Sequence, residues 1–152
     1  MFHNKFKIVC SRLVRLFYLH LRTMKLKTVQ FISATLWFII TNILFFMPGQ
    51  DLPQVTFLDK IYFDKWVHVG IFCIMVVLWC LAWKSLKRNQ VNQNLVKAFW
   101  TIAIIFVGYG IAIEFIQKYF IPFRSFDVTD MLADAIGSTL GALYCTRKYI
   151  KK

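Results

Sequence analysis

The chain has 152 residues, enough for one domain, and 59% of them are hydrophobic. Soluble domains carry roughly 45–50% apolar residues, so this apolar share and a mean hydropathy of +0.57 argue against an ordinary soluble fold. The formal charge is nonetheless +12; because the basic residues flank hydrophobic spans and no nucleic-acid-binding motif is present, a membrane protein with charged loops is favoured over a nucleic-acid binder.

Residues 1–27 carry seven Lys/Arg and no acid. Lys5, Arg12, Arg15 and Arg22 share one helical face, with Phe6, Val9, Leu13 and Phe17 largely opposite. That is the pattern of a basic helix lying on a membrane surface. The apolar run from Leu16 to Leu21 is too short to span, and no signal-cleavage pattern follows it. Met24 is an equally acceptable translation start, which leaves residues 1–23 open to being native or additional.

Four hydrophobic stretches follow, at about 29–47, 66–83, 98–120 and 130–144. Crossing a bilayer core takes roughly 20 helical residues. The first three meet this. The fourth is shorter and more polar, and it suffices if its start lies at the interface and it continues to Cys145. Pro48, Gly49 and Pro53 end the first stretch, and Pro122 follows the third. The loop from Lys84 to Lys97 and the tail from Arg147 to Lys152 each carry four Lys/Arg and no acid, whereas the other two loops mix Lys60, Lys65, Lys118 and Arg124 with five Asp. By the positive-inside rule both termini and the middle loop are cytoplasmic, as an even number of spans requires. The expected architecture is an all-α polytopic membrane protein with four transmembrane helices. A basic segment occupies 1–27, the membrane domain 28–146 and a basic tail 147–152.

Cys10, Cys73, Cys80 and Cys145 lack zinc-ligand spacing. Cys73 and Cys80 lie about 10 Å apart along one helix, too far for a disulfide. All four read as small apolar residues.

Four of the seven acidic residues fall between Glu114 and Asp134, in the run EFIQKYFIPFRSFDVTDMLAD. A carboxylate at the edge of a bilayer core is costly without a partner, water or an ion. Glu114 and Gln117 share a face near the end of the third span, with Gly110 one turn below. Asp64, Lys65 and His68 open the second span, where Asp64 at i−4 could orient the imidazole. Arg124 and Asp127 sit in the last loop, with Arg124 placed to pair with Glu114 or an Asp. Asp130 and Asp134 lie in the first turns of the fourth span, ahead of Gly137-x-x-x-Gly141, a close-packing pattern. Asp127 and Asp130 have a partial explanation in helix capping. Phe45, Phe46, Trp66, Tyr119 and Phe120 read as an interfacial aromatic belt.

Together these motifs resemble the VanZ-like family of small bacterial multi-pass membrane proteins. The resemblance rests on MPGQDLP (Met47 to Pro53), DKWVH (Asp64 to His68), E-x-x-Q (Glu114, Gln117), R-S-x-D (Arg124 to Asp127) and D-x-x-x-D-x-x-G-x-x-x-G (Asp130 to Gly141), in that order. It covers roughly residues 28–146. The family pattern often has Asn where this chain has Asp134. The resemblance implies a location in the bacterial cytoplasmic membrane and an association with resistance to the glycopeptide teicoplanin.

Three functions are compatible with the pattern. The first is a non-enzymatic envelope protein whose outer rim binds a lipid head group, a cell-wall precursor or an amphiphilic antibiotic. Its ligand-binding set is Asp64, Lys65, His68, Glu114, Gln117, Arg124, Asp127, Asp130 and Asp134. Lys65 and Arg124 would meet phosphate or carboxylate, and Gln117 and the acids would meet amide, hydroxyl or amine groups. The second is an intramembrane enzyme acting on a lipid-linked substrate, with His68 or Glu114 as general base and a divalent cation on Asp127, Asp130 or Asp134; no catalytic signature accompanies it. The third is an ion-coupled transporter, which the restriction of charge to one rim disfavours. No metal, cofactor or nucleic acid is expected. The expected partners are membrane lipids, together with a cell-wall precursor or lipoglycopeptide.

Overall fold

A computed structural model describes residue 24 and residues 26–48, 63–87 and 92–150. The amphipathic pattern of residues 1–23, most of the MPGQDLP turn, Cys10 and the last two residues of the tail lie outside the described residues. Within them the protein is all-α, with helices α1 (Leu26–Phe45), α2 (Phe63–Leu86), α3 (Asn92–Phe120) and α4 (Val128–Tyr149). The first three are long and apolar enough to cross a membrane. The fourth has 22 residues but includes Asp130, Asp134, Arg147 and Lys148.

α2 and α4 outrun their hydrophobic stretches at both ends, and α3 outruns its own at the amino end. Hydropathy delimits only the apolar run, while backbone hydrogen bonding carries on through polar residues such as Asp64, Lys65 and Lys84. The end of α1 is set by Pro48, which cannot continue the ladder. Its last turn tightens, with Met47 N–H donating to Leu44 O at 3.4 Å.

α4 packs chiefly on α2 and next on α3, and α2 meets α3 less extensively. The α2–α4 contact is close because its seam is glycine. A Cβ at Gly141 would come within 2.8 Å of Cys73 O, and one at Gly137 would run into the Val69 carbonyl. The GxxxG pattern therefore lies in a contact within the chain. Phe72, Met75 and Val76 of α2, Phe99 of α3 and Ala142 and Cys145 of α4 fill the interior. The reverse faces are equally apolar: Ile104 and Ile105 of α3 and Ile32 and Ile43 of α1 are exposed. Helices apolar all round belong in lipid, where tight packing rather than exclusion of water favours association.

Phe45 departs from the expected aromatic belt. It is 3% exposed, and its ring centroid lies 5.3 Å from that of His68 and 6.0 Å from that of Phe72. Ala34, Thr41 and Phe45 are the buried positions of α1, seven and four residues apart, which places Phe45 on the face turned to the bundle. Phe46, Trp66, Tyr119 and Phe120 are exposed.

Candidate functional site

The amino ends of α2 and α4 and the carboxyl ends of α1 and α3 meet at one end of the bundle. Lys65 is the hub. Its Nζ lies 2.9 Å from Asp64, 2.5 Å from Asp127 and 2.7 Å from Asp130. Lys65, expected to meet a ligand anion, stands among three carboxylates, and its ammonium ties the first turn of α2 to that of α4. Oxygens of these three carboxylates lie within 4.8 Å of one another, a spacing able to ligate an oxygen-seeking cation. The lysine ammonium bonds all three and supplies the positive charge.

Asp127 is also the N-cap of α4. Its Oδ1 accepts from Thr129 N at 2.8 Å and from Thr129 Oγ1 at 2.7 Å, satisfying a free donor of the first turn. The Lys65 hydrogen bond, reinforced by those of Thr129, holds its carboxyl down at about 2.

His68 is oriented by a different carboxylate from the one its spacing singles out. Asp64 is committed to Lys65, and His68 Nδ1 lies 2.8 Å from Asp134 Oδ1, both side chains buried. Asp134 is 1% exposed, and its Oδ2 has no hydrogen-bond partner among the described residues. This oxygen lies against Gly110 of α3, where an added Cβ would approach it to 2.6 Å. Gly110 is thus the opening that admits Asp134 between α2 and α3.

Glu114 is 0% exposed. Its Oε2 accepts from the Asp127 backbone N–H at 3.0 Å, which gives it a share in capping α4. Its Oε1 has no partner among the described residues. Ser138, one turn below Asp134, is buried with its Oγ likewise unpartnered.

Gln117 and Arg124 close off α1. Gln117 Nε2 donates to Phe45 O at 3.0 Å and Arg124 Nε to Met47 O at 3.4 Å, so both serve carbonyls left free at a helix end. Among the described residues Arg124 pairs with no carboxylate, contrary to the clamp expected with Glu114 or an Asp; Asp64, Asp127 and Asp130 are on Lys65 and Asp134 is on His68. Arg124 follows Phe123, whose φ of 59° turns the loop sharply. The Phe45 and Met47 carbonyls and Tyr109 carry no signal in the sequence. The Tyr109 hydroxyl donates to Asn42 Oδ1 at 2.9 Å, and Asn42 Nδ2 donates to Phe38 O at 2.7 Å, a second polar tie between α1 and α3. Backbone acceptors carry no residue-type signal, and Tyr109 is a lone polar group in an apolar run.

After these ties, acceptor capacity remains on two buried carboxylates and donor capacity on one guanidinium. Apolar helices around such a terminal polar site define a small multi-pass membrane protein. Its sequence places it more closely: the chain belongs to the VanZ/LLP1 family, whose profile matches residues 4–149. That match takes in most of the basic amino-terminal segment as well as the motifs. No curated protein and no solved structure matches the chain.

Proposed function

We propose that all four helices cross the bacterial cytoplasmic membrane with both termini inside, and that the polar site on the outer rim binds the head of an amphiphile. The ligand classes are a lipid head group, a cell-wall precursor and a glycopeptide-type antibiotic. The charge pattern supports the orientation, since Lys84, Lys87, Lys97, Arg147 and Lys148 gather at the end opposite the carboxylates. The crossing of α4 is supported by its length, roughly 33 Å at helical rise. Its burial pattern agrees: Asp134 and Ser138 face the bundle, while Leu132, Ile136, Leu140 and Tyr144 form an exposed stripe at i, i+4 spacing.

The observation that carries the binding function is Glu114. A wholly buried carboxylate with one oxygen fixed on Asp127 N–H and the other uncommitted is an acceptor suited to an amine, amide or hydroxyl. Glu114→Gln keeps an oxygen for Asp127 N–H and removes the charge. In nanodiscs, native mass spectrometry should show the folded variant binding amine- or hydroxyl-headed lipid, lipid-linked cell-wall precursor or teicoplanin at least 10-fold more weakly than wild type. Unchanged affinity for all three ligands defeats the reading.

The His68–Asp134 contact favours a second reading, an enzyme acting on a lipid-linked substrate. A carboxylate on Nδ1 fixes the imidazole and directs proton transfer to Nε2. Turnover of a lipid-linked substrate that falls at least 100-fold in His68→Gln, with binding retained, would select it over binding alone.

A further inference from the structure

Phe38, Ile39, Ile43, Phe46, Met47 and Pro48 line an open groove of about 510 Å³ on α1 and the turn that follows. The groove is almost wholly apolar. Its one polar wall residue, Asn42, spends its amide on Phe38 O and Tyr109 OH. From residue 38 to 45 the helical rise is roughly 10 Å, against about 15 Å for one leaflet of a hydrocarbon core about 30 Å thick, and residues 46–48 extend the groove beyond the helix end. The groove therefore covers most of the depth of one leaflet, and its upper end is the rim. There Met47 O accepts from Arg124 Nε, so a guanidinium stands at the mouth. Among the described residues that guanidinium has no carboxylate partner, whereas Lys65 has three. A fixed, planar donor fork is suited to phosphate.

We propose that this groove is a tail subsite: one chain of a phosphate-bearing lipid in the outer leaflet lies along α1, with its phosphate on Arg124. The assignment rests on the amphiphile-binding reading above and specifies its ligand as phosphorylated and chain-bearing. A neutral lipid of the same chains lacks the anchor, and soluble phosphate lacks the tail.

The test uses the full chain in nanodiscs, with the photo-crosslinking residue benzoylphenylalanine at position 43 or, as a control, at the exposed α3 position 104. Discs contain phosphatidic acid or the matched diacylglycerol. Position 43 should capture phosphatidic acid at least 5-fold more than diacylglycerol, and position 104 should capture both alike. Arg124→Gln should bring position 43 to parity, and Arg124→Lys should keep most of the preference. Equal capture at position 43 in wild type, or a preference that survives Arg124→Gln, overturns the subsite. A crosslink to a second copy or to another part of the same chain, in place of lipid, overturns it as well. Soluble glycerol phosphate, followed by NMR, separates the two levels. If it binds wild type and not Arg124→Gln while position 43 shows no preference, the tail subsite falls and the rim site stands. If Glu114→Gln leaves every head-group affinity unchanged, the rim reading falls first.

Discussion

Replacing Lys65 with Met should cost about 2–3 kcal/mol of stability. The magnitude follows from exposure. Lys65 is 19% exposed and Asp130 15%, so this pair approaches the buried limit, where removing one partner costs roughly 3–5 kcal/mol. Asp127 is 37% exposed and Asp64 59%; solvent screens these pairs toward the roughly 0–1 kcal/mol of surface bridges. The α4 dipole offsets part of the loss, because Asp127 and Asp130 stay at a helix amino end. Methionine retains the apolar stem, so packing changes little.

The same substitution leaves three carboxylates with oxygens within 4.8 Å of one another and no cation among them. Calcium should then stabilise the variant and not wild type, in which the ammonium holds the position. Weak oxygen sites bind calcium at about 10⁻⁴–10⁻³ M. At about 10 mM calcium and a Kd of about 1 mM, linkage gives about 1.4 kcal/mol. Reversible unfolding by guanidinium chloride in non-ionic detergent micelles, followed by circular dichroism, measures both effects. A Lys65→Met protein within about 0.5 kcal/mol of wild type, or calcium stabilising both proteins equally, would refute the hub argument.

The same unfolding assay tests the glycine seam. Gly137→Ala must push α2 and α4 apart at the Val69 carbonyl and should cost about 1–3 kcal/mol, while Gly70→Ala, with nothing within 4 Å of its Cβ, should gain up to about 1 kcal/mol. Carboxyl ¹³C NMR should find Asp127 titrating near 2 in wild type and moving toward 3.8 in Lys65→Met. Because its folded value is depressed, the contribution of Asp127 is complete above about pH 4 and is lost as pH falls toward 2; a wild-type midpoint near 4 would contradict the ion pair. Phe123→Gly should relieve the left-handed backbone at φ 59° and stabilise the protein by about 1 kcal/mol, and a loss of stability would show that the exposed ring has a role of its own.

The helices were legible because hydrophobic runs, Pro48 and Pro122 mark them directly, and the residues of the site were legible because charge inside apolar sequence is conspicuous. The pairing was not. Asp64 at i−4 is the natural partner for His68 on one helix, yet Asp134 displaces it from another, since Gly110 makes room for that carboxylate and Lys65 draws Asp64 away. Arg124 reads as the obvious cation for Glu114, yet the loop geometry sends its Nε to Met47 O and gives Glu114 a backbone N–H. Phe45 is one residue from exposed Phe46, and only the 34, 41, 45 register of α1 tells them apart. Each of these depends on which helices are neighbours, and local spacing does not encode that.

Glu114, Asp134 and Arg124 divide their capacity between holding helices and leaving atoms uncommitted, and this division decides how variants should be read. Glu114→Ala removes the uncommitted Oε1 and also strips Asp127 N–H of its acceptor, a loss of about 1–3 kcal/mol for a buried donor. Reduced binding in that variant alone would say little about a ligand. Glu114→Gln keeps the structural half, and Arg124→Lys keeps the charge while giving up the fork. If the function lies in the uncommitted atoms, Glu114→Gln should bind as poorly as Glu114→Ala while unfolding like wild type. If Glu114 serves only to cap α4, binding and stability should fall together in Glu114→Ala and both survive in Glu114→Gln. Affinity and unfolding midpoint measured on the same two preparations therefore separate a recognition site from a structural polar network.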